Sequence, residues 1–211
     1  MSHYYTNDPT LDHDVKTFDV DIKGVSLRFY TDRGVFSKDG LDFGTRFLLE
    51  SIELNSDVSS IIDMGCGYGP VAIYLAKKYP NVSIEGYDIN ERALDLARKN
   101  AHLNQVDSLH FEAAFLFERV QNKVDVILTN PPIRAGKATI FKLYEDAYQY
   151  LYPGGMLFVV IQKKQGAPST VEKLKTLFDS VELIDRNKGY WVLLAKKSKI
   201  DWLLQHNMII L

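Results

Sequence analysis

The sequence predicts an α/β fold built on a mostly parallel sheet, and three observations carry that prediction. From residue 58 onward, short apolar runs alternate with amphipathic segments of helical spacing. Turn-forming clusters separate them, as at Gly65-Cys66-Gly67-Tyr68-Gly69-Pro70 and Tyr152-Pro153-Gly154-Gly155. Near the end, two β-rich runs flank Asn187-Lys188-Gly189, a short turn that adds one antiparallel strand.

The elements follow in order. Residues 1–16 are polar and read as extended. Phe18, Val20 and Ile22, then Val25, Leu27 and Phe29, alternate about Lys23-Gly24, the pattern of a tight β-hairpin over 17–31. Gly34, Gly40 and Gly44 mark a loop over 32–44, after which Thr45 caps a helix reaching Asn55, with Phe47, Leu48, Leu49 and Ile52 buried. A strand at 58–63 precedes a helix at 70–79, opened by Pro70 at its first turn and stopped by Pro80. A strand at 82–87 leads to a helix at 91–103, where Ala93, Leu94, Leu96, Ala97 and Ala101 form the apolar stripe. Strands at 108–113 and 124–129 follow, then a helix at 138–151 and a sharp turn into a strand at 156–161. A helix at 169–178 and strands at 181–185 and 190–196 complete the pattern. The apolar segment 198–211 reads as a docked helix or strand.

Composition limits the function classes. With 211 residues and 46% hydrophobic content, the chain reads as one globular domain with a continuous core. A formal charge of −2 gives no global basic field, so any nucleic acid must be met by local patches. A single cysteine precludes an internal disulfide, and the five histidines make no zinc spacing with it, so no metal is expected. The N-terminus has no signal-peptide core, and no apolar run approaches the roughly 20 residues of a membrane span. These features predict a soluble cytoplasmic protein with no membrane partner; they leave its oligomeric state open.

Ligands of open parallel sheets bind beyond the carboxyl ends of the strands, where strand order reverses. The turn Gly65-Cys66-Gly67-Tyr68-Gly69 follows the first such strand, and its glycines let main chain approach a ligand closely. Asp88 ends the next strand, where a carboxylate can accept from both hydroxyls of a ribose. Such charge-assisted bonds contribute about 1.5–3 kcal/mol each. Pyrophosphate binding needs free amides at a helix N-terminus. Pro70 removes one of them, which favours a nucleoside cofactor without phosphates. Cys66 reads as a small residue packed in the turn, because no histidine lies near it in sequence to activate a thiolate.

The strand 125–129 stops at Asn130-Pro131-Pro132-Ile133. An amine conjugated to a ring or carbonyl is a poor nucleophile because its lone pair is delocalised. If the Asn130 side-chain oxygen and the Pro131 main-chain oxygen accept its two N–H bonds, that lone pair can be aimed at an electrophile. The two prolines stiffen the loop and leave carbonyls free to accept. Catalysis of this kind is orientation and proximity, which can lower a barrier by roughly 7–11 kcal/mol.

The span from about 3 to 197 resembles the class I S-adenosylmethionine-dependent methyltransferases. More narrowly, it resembles the catalytic half of small-subunit ribosomal RNA guanine-N2 methyltransferases. The residues that carry the likeness are Gly34-Val35-Phe36-Ser37-Lys38-Asp39-Gly40-Leu41-Asp42-Phe43-Gly44-Thr45, Asp63-Met64-Gly65-Cys66-Gly67-Tyr68-Gly69 and Asn130-Pro131-Pro132-Ile133. The resemblance implies a Rossmann-like sheet of seven strands, mostly parallel with one antiparallel, plus the N-terminal hairpin. Within a single domain over 1–211 it implies a hairpin and cofactor-covering loop to residue 44, a catalytic core over 45–197 and an extension over 198–211.

It implies S-adenosylmethionine as cofactor, held by Phe36, Thr45, Asp63, Gly65, Cys66, Gly67, Gly69, Asp88, Ile89, Ala114, Phe115 and Asn130. Asn130, Pro131, Pro132 and Ile133 would serve the target amine, and the loop around Phe36 and Thr45 would close over the cofactor. Ribosomal RNA or the small subunit is the implied partner. Three departures stand out: Ile133 replaces a base-stacking aromatic, Phe115 replaces an acidic or amide residue near adenine, and no second RNA-holding domain precedes the hairpin. Arg134, Lys137, Lys163 and Lys164 are placed to meet RNA phosphates, and His3, Tyr4 and Tyr5 are candidates to cover the site. Methylation of adenine N6 in RNA, methylation of a protein glutamine, or cofactor binding without catalysis remain open.

Overall fold

A computed structural model describes residues 13–199. The readings of His3, Tyr4 and Tyr5, and of 200–211, lie outside the described residues. Strands β1 (Lys16–Ile22) and β2 (Val25–Thr31) form the expected antiparallel hairpin. Lys23 and Gly24 turn it with φ of 49° and 82°; two successive left-handed residues match the twist of the strands they join.

Helix α1 (Phe43–Ser51) departs from expectation at both ends. Its cap is Asp42, not Thr45: the Asp42 carboxylate accepts from the Thr45 main-chain N–H at 2.9 Å. Gly44 reads as a loop residue in sequence, yet it is helical and a contact point. A Cβ there would stand 2.7 Å from Tyr190 Cε1 and 3.0 Å from Asp42 Oδ2. The helix ends at Ser51, whose hydroxyl donates back to the Phe47 carbonyl at 2.7 Å, and Ile52 turns extended.

The main sheet comprises β3 (Ser60–Met64), β4 (Ser83–Asp88), β5 (His110–Ala113), β6 (Val124–Thr129), β7 (Leu151–Gln162), β8 (Ser180–Asn187) and β9 (Tyr190–Lys196). These seven strands lie in the order β5-β4-β3-β6-β7-β9-β8, and only β9 runs against the others. The chain builds outward from β3 through β4 to β5, then restarts on the other flank of β3 with β6. The strand order therefore reverses between β3 and β6, and the two sequence motifs leave the carboxyl ends of those neighbours.

Helices α2 (Pro70–Lys78) and α3 (Glu91–Leu103) pack with α1 and the hairpin on one face; α4 (Lys137–Tyr150) and α5 (Ala167–Lys175) cover the other. Alternate strand residues divide between the two cores, with Ile61, Val126 and Leu128 on the first and Ile62, Ile127 and Leu157 on the second. Both faces being covered explains why these strands read as continuous apolar runs.

Two side chains of α3 serve β2 directly. Asn100 accepts from the Tyr30 N–H at 2.7 Å and donates to the Tyr30 carbonyl at 3.0 Å. One turn later, Asn104 accepts from the Arg28 N–H at 3.1 Å and donates to the Arg28 carbonyl at 2.7 Å.

The sharp turn expected at 152–155 is instead a bulge inside β7. Val124 pairs with Leu151 and Val126 with Met156, so the intervening residues swell out of the ladder. There they meet Lys197, which accepts from the Gly154 N–H and donates to the Gly155 carbonyl, each at 3.0 Å. Helix α5 begins earlier than expected, at Ala167, because Gly166 takes φ 114° before it and Pro168 fits the first turn. Among the described residues, no helix is long and apolar enough to cross a membrane.

Candidate active site

A cavity of about 670 Å³ opens at the carboxyl ends of β3, β4, β6 and β7. The glycine turn forms its floor. Gly65, Gly67 and Gly69 adopt φ of 78°, 54° and 92°, a left-handed series that only glycine takes without strain. The Gly65 and Cys66 amides donate to the Tyr87 carbonyl at 2.8 and 3.0 Å, and Gly67 donates to Asp88 Oδ2 at 2.8 Å, so the turn is tied to the end of β4. A Cβ built on Gly65 meets only the Asn130 main-chain oxygen, 4.0 Å away. The two motif turns therefore face each other across open space.

Of the residues expected at the site, Phe36, Thr45, Asp63, Gly65, Cys66, Gly67, Asp88, Ile89, Ala114, Phe115, Asn130, Pro131, Pro132 and Ile133 all line this cavity. Gly69 does not. It faces inward, where a Cβ would come within 3.1 Å of Ile73 and 3.3 Å of Ala97 and Phe111, and it caps α2. Its glycine is a packing requirement. Cys66 is buried, and burial pushes its thiol well above the ordinary range, so it is no nucleophile.

Two buried carboxylates stand behind the turn. Asp88 Oδ2 accepts from the Gly67 N–H and Oδ1 from the Asn90 N–H, the latter at 2.9 Å. Asp63 accepts from Ala72 N–H in the first turn of α2 at 3.2 Å. Burial, with the nearby Asp88 charge adding to it, raises the Asp63 carboxyl from 3.8 to about 7. An acid whose folded value is raised stabilises the fold fully below its unfolded value and loses that contribution as pH climbs through the folded one. Asp63→Asn, which carries no such charge, is therefore expected to gain melting temperature relative to the natural protein between about pH 4 and 7. A constant difference across that window in parallel thermal scans would refute the assignment.

Around the mouth, Phe36, Ile89 and Phe115 are the exposed large apolar side chains lining the cavity. Such surface suits a flat heteroaromatic group held by apolar contact. The loop carrying Phe36 is anchored from below, where Asn90 donates to the Gly34 carbonyl at 2.9 Å and Thr31 to the Lys38 carbonyl at 2.7 Å.

Asn130 is held by residues distant in sequence. Its Nδ2 donates to Asp42 Oδ2 at 3.0 Å and to Thr45 Oγ1 at 3.2 Å. The amide nitrogen is thereby occupied, which leaves the carbonyl oxygen for a ligand. Asp42 was not among the sequence candidates, nor were Tyr68, Gln162 and Tyr190, which line the same cavity. Asp42 lies within the Gly34-to-Thr45 motif that carries the resemblance, and its capping type ahead of Thr45 becomes legible once the helix start is placed correctly. Arg134, Lys137, Lys163 and Lys164 are all exposed beyond the ends of β6 and β7, with Lys137 Nζ lying 5.0 Å over the Phe141 ring. Among the described residues, no group of three or more His, Cys, Asp or Glu is placed to hold a metal ion.

The methyltransferase small domain family model matches residues 26–194, and the chain belongs to that family. It is an S-adenosylmethionine-dependent methyltransferase. "Uncharacterized protein YbxB" of Bacillus subtilis is 41% identical over 197 residues, covering 92% of this chain and 98% of that protein. Ribosomal RNA large subunit methyltransferase G of Shewanella loihica is 30% identical over 197 residues, covering 87% of this chain and 46% of that protein. Ribosomal RNA small subunit methyltransferase C of Pasteurella multocida is 31% identical over 177 residues, covering 82% and 49%. The chain thus spans about half the length of these two RNA methyltransferases. A 16S rRNA N2-guanine methyltransferase of T. thermophilus, solved with AdoMet and guanosine, shares the fold with a TM-score of 0.78 at 23% identity, over 90% of this chain and 52% of that one.

Proposed function

We propose that this chain transfers a methyl group to the exocyclic N2 of a guanine in ribosomal RNA, and that it works in the cytoplasm where that RNA is made. The observation that carries the proposal is the tether on Asn130. With Nδ2 bound to Asp42 and Thr45, the amide can offer only its oxygen, the group an amine with two N–H bonds requires. Pro131, buried in the loop that follows β6, supplies the second acceptor through its carbonyl. The relatives named for ribosomal RNA methylation support the substrate class.

The residues present fit the cofactor. The open space above Gly65 is the one a side chain would fill, Asp88 suits the ribose hydroxyls, and Ile89 and Phe115 suit the adenine. When bound, S-adenosylmethionine supplies an electrophilic methyl carbon. Asn130 and Pro131 align the amine lone pair with that carbon, and this alignment across the gap between the two turns is the main source of rate. No strong base is needed, because methylation makes the nitrogen acidic and its proton leaves afterwards. Extruding the base costs a few kcal/mol. Ile133 repays less of this than an aromatic ring would, since base–aromatic stacking is worth about 1–3 kcal/mol. Arg134, Lys137, Lys163 and Lys164 supply phosphate contacts, so RNA binding weakens with added salt.

The test is nucleoside mass spectrometry of ribosomal RNA from a strain lacking this protein and from its parent. The proposal requires N2-methylguanosine to fall in the deletion strain. Loss of N6-methyladenosine in its place would assign the chain to adenine, and unchanged nucleosides would refute a ribosomal RNA substrate.

A further inference from the structure

Among the described residues, three buried side-chain oxygens have no hydrogen-bond partner: Tyr68 Oη, Tyr74 Oη and Gln162 Oε1. Gln162 lines the cavity, and its Oε1 is a pure acceptor. Leaving such an atom dry and unpaired is costly, so its persistence needs a reason. Gln162 ends β7 and pairs with Tyr190, the first residue of β9. Tyr190 lines the cavity beside Gln162. The Tyr190 ring in turn packs at the point on Gly44 that also meets Asp42, the residue holding Asn130. β6 and β7 are adjacent and parallel, Thr129 opposite Val159, so Asn130 and Gln162 stand at the same end of neighbouring strands, with Gln162 two residues beyond the position level with Asn130.

We propose that Gln162 is the specificity determinant of the site: its Oε1 accepts the N1–H of guanine while Asn130 and Pro131 hold the neighbouring N2 amine. This rests on the guanine-N2 reading above. Guanine presents donors at both N1 and N2, and a pair of acceptors matches them. Adenine presents a lone pair at N1 beside its N6 amine, so the same oxygen would face it acceptor to acceptor. A site built to receive a hydrogen bond rejects an analogue lacking it.

Guanosine and 2-aminopurine riboside share the 2-amino group, but only guanosine carries N1–H. Each is titrated into the protein saturated with S-adenosylhomocysteine. Guanosine should bind about tenfold or more tightly than 2-aminopurine riboside. Gln162→Met should erase the difference, and Gln162→Glu, which keeps an acceptor, should retain it. Equal binding of the two nucleosides by the natural protein, or an undiminished preference in Gln162→Met, overturns the proposal. S-adenosylhomocysteine affinity reports whether each variant folds. Should Gln162→Met lose it, Gln162→Leu, which also lacks an acceptor, is read in its place, and an undiminished preference there is equally fatal. The strain comparison separates the two readings. N2-methylguanosine lost on deletion, with a preference indifferent to Gln162, removes only the role of Gln162. No loss of N2-methylguanosine, with a Gln162-dependent preference, removes the ribosomal substrate and leaves base reading intact.

Discussion

Asn130→Ala is expected to lower methyl transfer to ribosomal RNA by about 10²–10³, the scale of losing one oriented polar group in an active site. Cofactor affinity should change far less, because the amide serves the target amine. The side chain lines the cavity and donates to Asp42 and Thr45, so its removal enlarges an existing space and the melting temperature should move little. Asp42→Ala should reproduce part of the loss by a different route. Asn130 keeps its oxygen but loses its tether, while α1 loses its cap at a cost of about 1 kcal/mol. Labelled methyl transfer at saturating cofactor, with calorimetry of the same samples, decides the matter. Natural turnover in Asn130→Ala would exclude the residue from the mechanism.

Asp88→Ala should weaken S-adenosylmethionine binding by about 1.5–3 kcal/mol, roughly ten- to a hundredfold. Part of that loss would come from the turn itself, since Asp88 also receives the Gly67 and Asn90 amides. Asp88→Asn separates the contributions: it preserves shape and one oxygen but forfeits the charge that strengthens bonds to hydroxyls. A titration in which Asp88→Ala binds like the natural protein would strike Asp88 from the cofactor site.

The parts of this molecule governed by local chemistry were legible in its sequence. Helix α3 begins and ends where its apolar stripe places it, and its cap is local, Asn90 accepting from the Ala93 N–H. β6 likewise matches its apolar run. Misreadings arise where a distant element decides. Gly44 is helical because Tyr190 needs the room, and Pro153-Gly154-Gly155 stays within β7 because Lys197 pairs with the bulge. The two motifs were legible because each is contiguous, whereas the wall around them is assembled by strand pairing and a helix cap. Asp42 reaches Asn130 across 88 positions, and no local spacing announces that.

The asparagines of α3 carry a consequence for behaviour in a crowded cell. Side chains four apart on a helix are about 6 Å apart along its axis, close to the roughly 6.7 Å between alternate residues of a strand. Asn100 and Asn104 can therefore stand in for a third strand, giving Tyr30 and Arg28 the two-way bonding a neighbouring β-chain would have given. A two-stranded ribbon with a bare edge is a template for self-association. Here the β2 edge of that template is already occupied by the protein's own helix, so this edge is shielded from recruiting another chain, and replacing both asparagines by leucine would expose it to aggregation.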